Sequence, residues 1–221
     1  MRPTGPTTAH PSPFQGKTAF YFGSFNPIHL GHAWIARTAM VQFALDRVLF
    51  VPAAQPPNRA ESADLLPGSL RYACVEVAIR PYAGLAVTDL ELQRPGPSYT
   101  ADSLESLLGV PLASLPEGSV PFIAGADTLY TLPSWKRAAE LVRVCHFLQA
   151  PRPTHRPTAI GSVALASGET PLATTLLEMP PQGVSSTWIR RQIGVRPELA
   201  KLWLPEGVFE QVAPTLAPSY S

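Results

Sequence analysis

KTAFYFGSFNPIHLGH, residues 17–32, decides the fold. Lys17 to Gly23 is a short apolar and aromatic run closed by a glycine, the pattern of a buried strand. HLGHAWIARTAMVQFAL follows, with Leu30, Trp34, Ile35, Ala39 and Phe43 at helical spacing. That spacing predicts a helix starting near Ile28 that buries those five side chains. Strand, glycine turn and helix make the first half of a βα unit. The pattern then repeats. RVLFVP (47–52) predicts a second strand, stopped by Pro52, and AAQPPNRAESADLLPG (53–68) a loop. SLRYACVEVAIRP (69–81) predicts a helix and LAVTDLELQ (85–93), by its alternation, a strand. SYTADSLESLLG (98–109) predicts a helix capped by Ser98 or Thr100. VPFIAGAD (120–127) reads as a strand, PSWKRAAELVR (133–143) as a helix with Pro133 near its first turn, and CHFLQAP (145–151) as a fifth strand. Five apolar strands alternating with helices predict an α/β fold, a Rossmann-like, doubly wound parallel sheet. In RPTHRP (152–157) a loop is expected, in SVALAS (162–167) and ATTLLEM (173–179) short strands. A small helical segment should close the chain from about residue 184.

Composition narrows the function. Seventeen basic against sixteen acidic residues give a formal net charge of +1, which argues against a nucleic-acid coat or a polybasic membrane clamp. A local anion site remains compatible with it. Cys74 and Cys145 sit in apolar stretches without metal-ligand spacing, so two buried free thiols in a reducing compartment are expected. No run approaches the ~18 apolar residues of a spanning helix. The first sixteen residues, MRPTGPTTAHPSPFQG, lack the apolar core of a secretory signal. They read as a disordered tail (1–16) before a single domain (17–221), in a cytoplasmic protein without membrane or nucleic-acid partners.

Two segments carry candidate chemistry. At the end of the first strand, Gly23 and Ser24 leave backbone N–H groups unpaired, and the following helix start adds more, together with the positive end of its dipole. His29 and His32 share a helix face, and Gly31 between them lets a flat ligand approach the backbone. From spacing alone the pair suits phosphate donors, a plain turn with two surface histidines, or a metal pair lacking a nearby third ligand. The second segment, VSSTWIRR (184–191), puts Ser186 and Thr187 at a helix start and Arg190 one turn in. Hydroxyls and free N–H groups there suit a phosphate oxygen, and a planar guanidinium suits bidentate phosphate contact; an ordinary capped helix with solvated arginines would look the same.

GSFNPIHLGH (23–32) resembles the G-[TS]-F-[DN]-P-[IVP]-H-x-G-H signature of the HxGH nucleotidyltransferases, and VSSTWIR resembles their I-S-S-T-x-I-R motif. VPAAQPPNR (51–59), ELQRPGPSYTADSL (91–104) and FIAGADTLYTLPSWKRAAEL (122–141) resemble stretches of the bacterial nicotinate-nucleotide adenylyltransferases, with Asn58 and Arg59 replacing the usual His-Lys. The resemblance spans about residues 18 to 212. It implies adenylyl transfer from ATP to nicotinate mononucleotide, giving deamido-NAD and pyrophosphate. Mg²⁺ would arrive with ATP, and no dedicated protein cage for a metal is visible. The implied catalytic residues are His29, His32 and Arg190. Gly23, Ser24, Phe25, His29, Gly31, His32, Gly125, Asp127, Ser186, Thr187 and Arg190 would meet ATP, and Ser24, Phe25, Tyr99, Thr100 and Trp135 the mononucleotide. A related enzyme with phosphopantetheine or the amide mononucleotide as acceptor, or a non-catalytic ATP-binding regulator, are the rivals.

Overall fold

The computed structural model describes residues 16–56, 64–153, 160–181 and 183–216. Asn58 and Arg59, most of the loop expected at 152–157, and all but the last residue of the expected tail lie outside them.

In chain order the elements are β1 (Thr18–Gly23), α1 (Leu30–Phe43), β2 (Arg47–Pro52), α2 (Gly68–Ile79), β3 (Leu85–Val87), α3 (Thr100–Leu108), β4 (Val120–Gly125), α4 (Ala126–Thr131), α5 (Ala138–Val144), β5 (Cys145–Ala150), β6 (Ser162–Leu165), β7 (Gly168–Pro171), β8 (Thr174–Leu176), α6 (Ser186–Val195), α7 (Pro197–Lys201) and α8 (Val208–Leu216). Six strands form one parallel sheet in the order β3-β2-β1-β4-β5-β8, while β6 and β7 form a separate antiparallel ribbon. Apolar side chains on both faces of the strands demand helices on both sides. One core packs Ile35, Val75, Ile189 and Val212 from α1, α2, α6 and α8. The other packs Leu104, Leu129 and Leu141 from α3, α4 and α5. Both cysteines are buried free thiols.

The order of strands reverses between β1 and β4. Those two strands pair only at Phe20↔Phe122, whereas β1 pairs β2 along all six residues. A crevice therefore opens beyond their carboxyl ends, where open α/β sheets bind ligands.

Four local expectations are corrected. Helix α1 starts at Leu30, and Leu30 and Trp34 stand 36% and 46% exposed; the buried face is Gly31, Ala33, Ile35, Ala36 and Ala39. Small side chains bring this helix close to the sheet, so its large residues point outward. The strand expected over 85–93 ends at Val87, and a turn with Gln93 N–H donating to Asp89 O at 3.1 Å replaces its second half. Neither Ser98 nor Thr100 caps α3. Tyr99 is the flanking residue, and the Ser98 hydroxyl instead accepts the N–H groups of Ala54 and Gln55 at 3.0 and 3.3 Å. The helix expected over 133–143 is split by Arg137, held in the left-handed region at φ 59°. Its guanidinium compensates there by bonding Glu105 and Glu140, each at 2.7 Å. The β7 strand carries no apolar alternation and was not expected.

Candidate active site

Two connected chambers occupy the crevice. The first, about 260 Å³, lies over the carboxyl ends of β1, β4 and β5 and is walled by His29, His32, Asp127, Arg152, Ser186 and Thr187. The second, about 280 Å³, is walled by Glu91, Ser98, Tyr99, Thr100, Trp135 and Lys136. Phe22, Gly23, Ser24 and Thr128 line both.

The turn after β1 builds the first chamber. Phe25 takes a positive φ of 43° and is buried edge-on against Tyr21 and His32, with ring centroids 5.5 and 5.3 Å apart. It lines the first chamber and not the second, so its expected place among the mononucleotide contacts is not what the geometry displays. The imidazoles of His29 and His32 stack at 3.8 Å. His29 N–H donates to His32 Nδ1 at 3.2 Å. A neutral His32 that accepts at Nδ1 carries its proton on Nε2, which leaves that N–H as a donor. Burial, with Arg152 adding repulsion, pushes His29 down to about 3. Burial, then His29, then Arg152 push His32 well below its ordinary value. The pair is therefore neutral at physiological pH, with His32 Nε2–H left as a donor.

The sign of that shift fixes a pH effect. An imidazole protonates more readily in the unfolded chain than in this site, so folding loses stability as pH falls from about 6.5 towards 3. In a melting series from pH 7 to pH 4.5, His29→Gln should lower Tm less steeply than the parent chain. Parallel curves would contradict the burial assigned to His29.

Gly31 serves a different purpose from the one expected. A Cβ there would meet the His29 ring at 3.0 Å and Val184 at 3.1 Å, and Gly31 does not line either chamber. The missing side chain makes room for the imidazole and for the segment leading into α6. Ser185, not Ser186 or Thr187, caps α6: its hydroxyl accepts Trp188 N–H at 3.2 Å. Ser186 Oγ donates to Pro27 O at 2.9 Å, joining this late segment to the early turn. Ser186 and Thr187 line the first chamber together with the histidines.

Arg190 is only 3% exposed. It donates to Asn26 O at 2.7 Å and pairs with the Asp64 carboxylate, behind the turn rather than at the chamber wall. It braces the turn that carries the histidines and reaches Thr187 Oγ1, on the chamber wall, at 3.4 Å. Asn26, itself buried, continues that brace, donating to Asp64 O at 2.8 Å and accepting Leu66 N–H at 2.9 Å.

Arg152 is the site residue that the sequence reading missed. It leaves β5 two residues past its end, donates to Val184 O at 3.2 Å and lies 3.8 Å from the Asp127 carboxylate. A cation immediately after a strand that borders the reversal point is the signal that could have found it. Gly125 and Asp127 line the first chamber, with the Asp127 side chain 61% exposed and making no helix cap. In the second chamber Trp135 packs edge-on to Phe122 at 6.4 Å and donates from Nε1 to Thr131 Oγ1 at 3.2 Å. Lys136 Nζ lies 4.4 Å from the Tyr99 ring centroid and 3.0 Å from Asp102.

Helix starts, a neutral histidine donor and Arg152 make the first chamber suited to a polyanion. An aromatic wall beside a helix start makes the second suited to a flat, anionic ring. Among the described residues no group of three or more His, Cys, Asp or Glu could hold a metal ion, and no helix is long and apolar enough to cross a membrane.

This layout has relatives. The family model described as cytidylyltransferase-like matches residues 20–192. A Synechococcus protein (strain JA-3-3Ab) named "Probable nicotinate-nucleotide adenylyltransferase" is 39% identical over 83% of this chain and 86% of its own. A Thermus thermophilus protein of the same name is 34% identical over 87% and 94%. The solved Plasmodium falciparum nicotinic acid mononucleotide adenylyltransferase complexed with NaAD superposes with a TM-score of 0.70, over 94% of this chain and 99% of its own, at 14% identity, a likeness of fold. The chain belongs to the cytidylyltransferase-like family and, within it, to the nicotinate-nucleotide adenylyltransferases.

Proposed function

We infer that the protein transfers the adenylyl group of ATP to nicotinate mononucleotide, giving deamido-NAD and pyrophosphate, a step of NAD biosynthesis. The observation that carries this reading is the meeting of two distant segments. Ser186 donates to Pro27 O, so the start of α6 and the His29–His32 pair wall one chamber, which shares Phe22, Gly23, Ser24 and Thr128 with the Trp135–Tyr99 chamber. An oxygen of the mononucleotide phosphate attacks the ATP α-phosphorus. The bond from that phosphorus to the bridging oxygen breaks, and its electron pair leaves with pyrophosphate.

The attacking phosphate is already ionised, so the reaction needs no protein nucleophile. Positioning and charge stabilisation remain as the protein's task. His32 Nε2–H and Arg152 face the charge that builds on the α-phosphoryl oxygens. The α6 start with Ser186 and Thr187 holds the outer phosphates, and Asp127 accepts a ribose hydroxyl. Mg²⁺ enters as part of the MgATP substrate, bound mostly by phosphate oxygens and water. In the second chamber Trp135 stacks on the pyridine ring, while the N–H groups opening α3 at Tyr99 and Thr100 receive the carboxylate. Residues 17–221 act as one nucleotidyltransferase domain in the cytoplasm, where ATP and the mononucleotide meet.

A steady-state comparison of acceptors tests the assignment. With ATP fixed, kcat/KM for nicotinate mononucleotide should exceed that for the amide by about tenfold or more, since one wrongly paired polar group costs at least that. Phosphopantetheine should give no turnover. Equal use of acid and amide, or faster use of phosphopantetheine, overturns it.

A further inference from the structure

Among the described residues, the largest wholly buried side chain lies outside both chambers. Arg71, on α2, is wholly buried, and its three donor positions are spent on three main-chain carbonyls from three segments. Nε donates to Leu66 O at 2.9 Å, Nη1 to Ser24 O at 2.7 Å and Nη2 to Ala54 O at 3.2 Å. Burying a cation is costly unless its donors are satisfied, so this position is occupied for its geometry. Ser24 is one of the four residues that line both chambers. Ala54 belongs to the loop after β2, which is pinned to the mononucleotide side. Ser98 Oγ accepts from Ala54 and Gln55, and Ser98 N–H donates to Gln55 O at 3.1 Å. The next residues are Tyr99 and Thr100. Ala53 N–H donates to Gly23 O at 3.0 Å, and one residue further along each segment Arg71 joins Ser24 to Ala54.

We propose that Arg71 is a positioning residue: through Ser24 on one side and Ala54–Ser98 on the other, it sets the relative placement of the ATP chamber and the mononucleotide chamber. The proposal rests on the two-substrate reading above. An in-line transfer needs the acceptor oxygen and the α-phosphorus at a fixed separation and angle, and a misplacement of about 1 Å can cost about a hundredfold in rate. ATP alone meets the joint only at Ser24, whereas the mononucleotide chamber is lined by Ser24 and Ser98 on both sides of it. The productive ternary complex depends on both sides. A guanidinium reaches three carbonyls through a rigid planar fork, which an ammonium cannot reproduce.

Arg71→Lys keeps the charge and loses the fork. The test measures the Kd of ATP and of nicotinate mononucleotide separately, kcat, Tm, and the fraction of folded protein. Expected are a Kd of ATP within about threefold of the parent and a kcat lower by about 10–100-fold at full folded fraction. A general loosening of the fold would weaken both binary complexes or lower the folded fraction in proportion to rate. Either of those patterns, or an unchanged kcat, overturns the proposal. Should the lysine variant fail to fold, Ser98→Ala carries the test. It frees the far end of the same connection and should again lower kcat beyond any change in the Kd of ATP, and an unchanged kcat overturns the proposal there too. The parent chain is assayed alongside: absence of deamido-NAD from it defeats the functional reading itself, whereas normal turnover by both variants defeats only the role of Arg71.

Discussion

His32→Ala lowers kcat by about 10²–10⁴, the range for losing a positioned, charge-stabilising donor in an enclosed site. The size of the effect follows from how little freedom His32 has. Its Nδ1 is occupied by the His29 N–H, its ring is stacked on the His29 ring, and Phe25 abuts it edge-on. The remaining Nε2–H is therefore aimed before substrate arrives, and no reorganisation is needed as charge develops on the transferred phosphoryl group. Alanine leaves a space that water fills with a mobile dipole. Binding of ATP alone should change far less than turnover, since the ground state asks less of that donor. Pyrophosphate release at saturating substrates checks the expectation, with Tm measured in parallel because the stack is lost as well. Turnover within threefold of the parent removes His32 from the mechanism.

Arg190→Met should be the most destabilising substitution near the site, and it should not discriminate between substrates. The arginine joins Asn26 O to the Asp64 carboxylate under the turn. Its loss strands a buried carbonyl and removes the Asp64 carboxylate's ion-pair partner. Breaking a buried ion pair costs about 3–5 kcal/mol, and partial access of Asp64 to water places this one near 3 kcal/mol. For a chain of this length that is a fall in Tm of roughly 6–12 °C. The turn carries Ser24 for both chambers and the histidines for one, so kcat/KM should fall with respect to ATP and to the mononucleotide alike. A stable variant with a defect confined to ATP would return Arg190 to direct phosphate contact.

The doubly wound sheet was legible in the sequence because buried parallel strands are continuous apolar runs, and KTAFYFG, RVLFVP and CHFLQAP each show one. The turn at 23–32 and the helix start at 184–187 were legible because their residue types and order are unusual, and both line the same chamber. Depth was not legible. Arg190 and Arg71 look like surface residues in a string of letters, yet both are buried, because their partners are carbonyls from segments far along the chain. Spacing gives a residue's face on its own helix and says nothing of what lies opposite. The same gap hides the exposure of Trp34, whose helical phase fits a core position while the helix buries its small residues instead. Gly31 matters for its missing side chain, as its place between the histidines suggests, but only the folded chain brings Val184 beside it.

The boundary shared by the chambers is short, made by Phe22, Gly23 and Ser24 at the end of β1 and by Thr128 of α4. An inhibitor that tethers a polyphosphate mimic to an aromatic acid by a short bridge over that boundary would occupy both compartments as one molecule. Its second moiety would engage at an effective concentration in the millimolar range, set by the bridge rather than by supply.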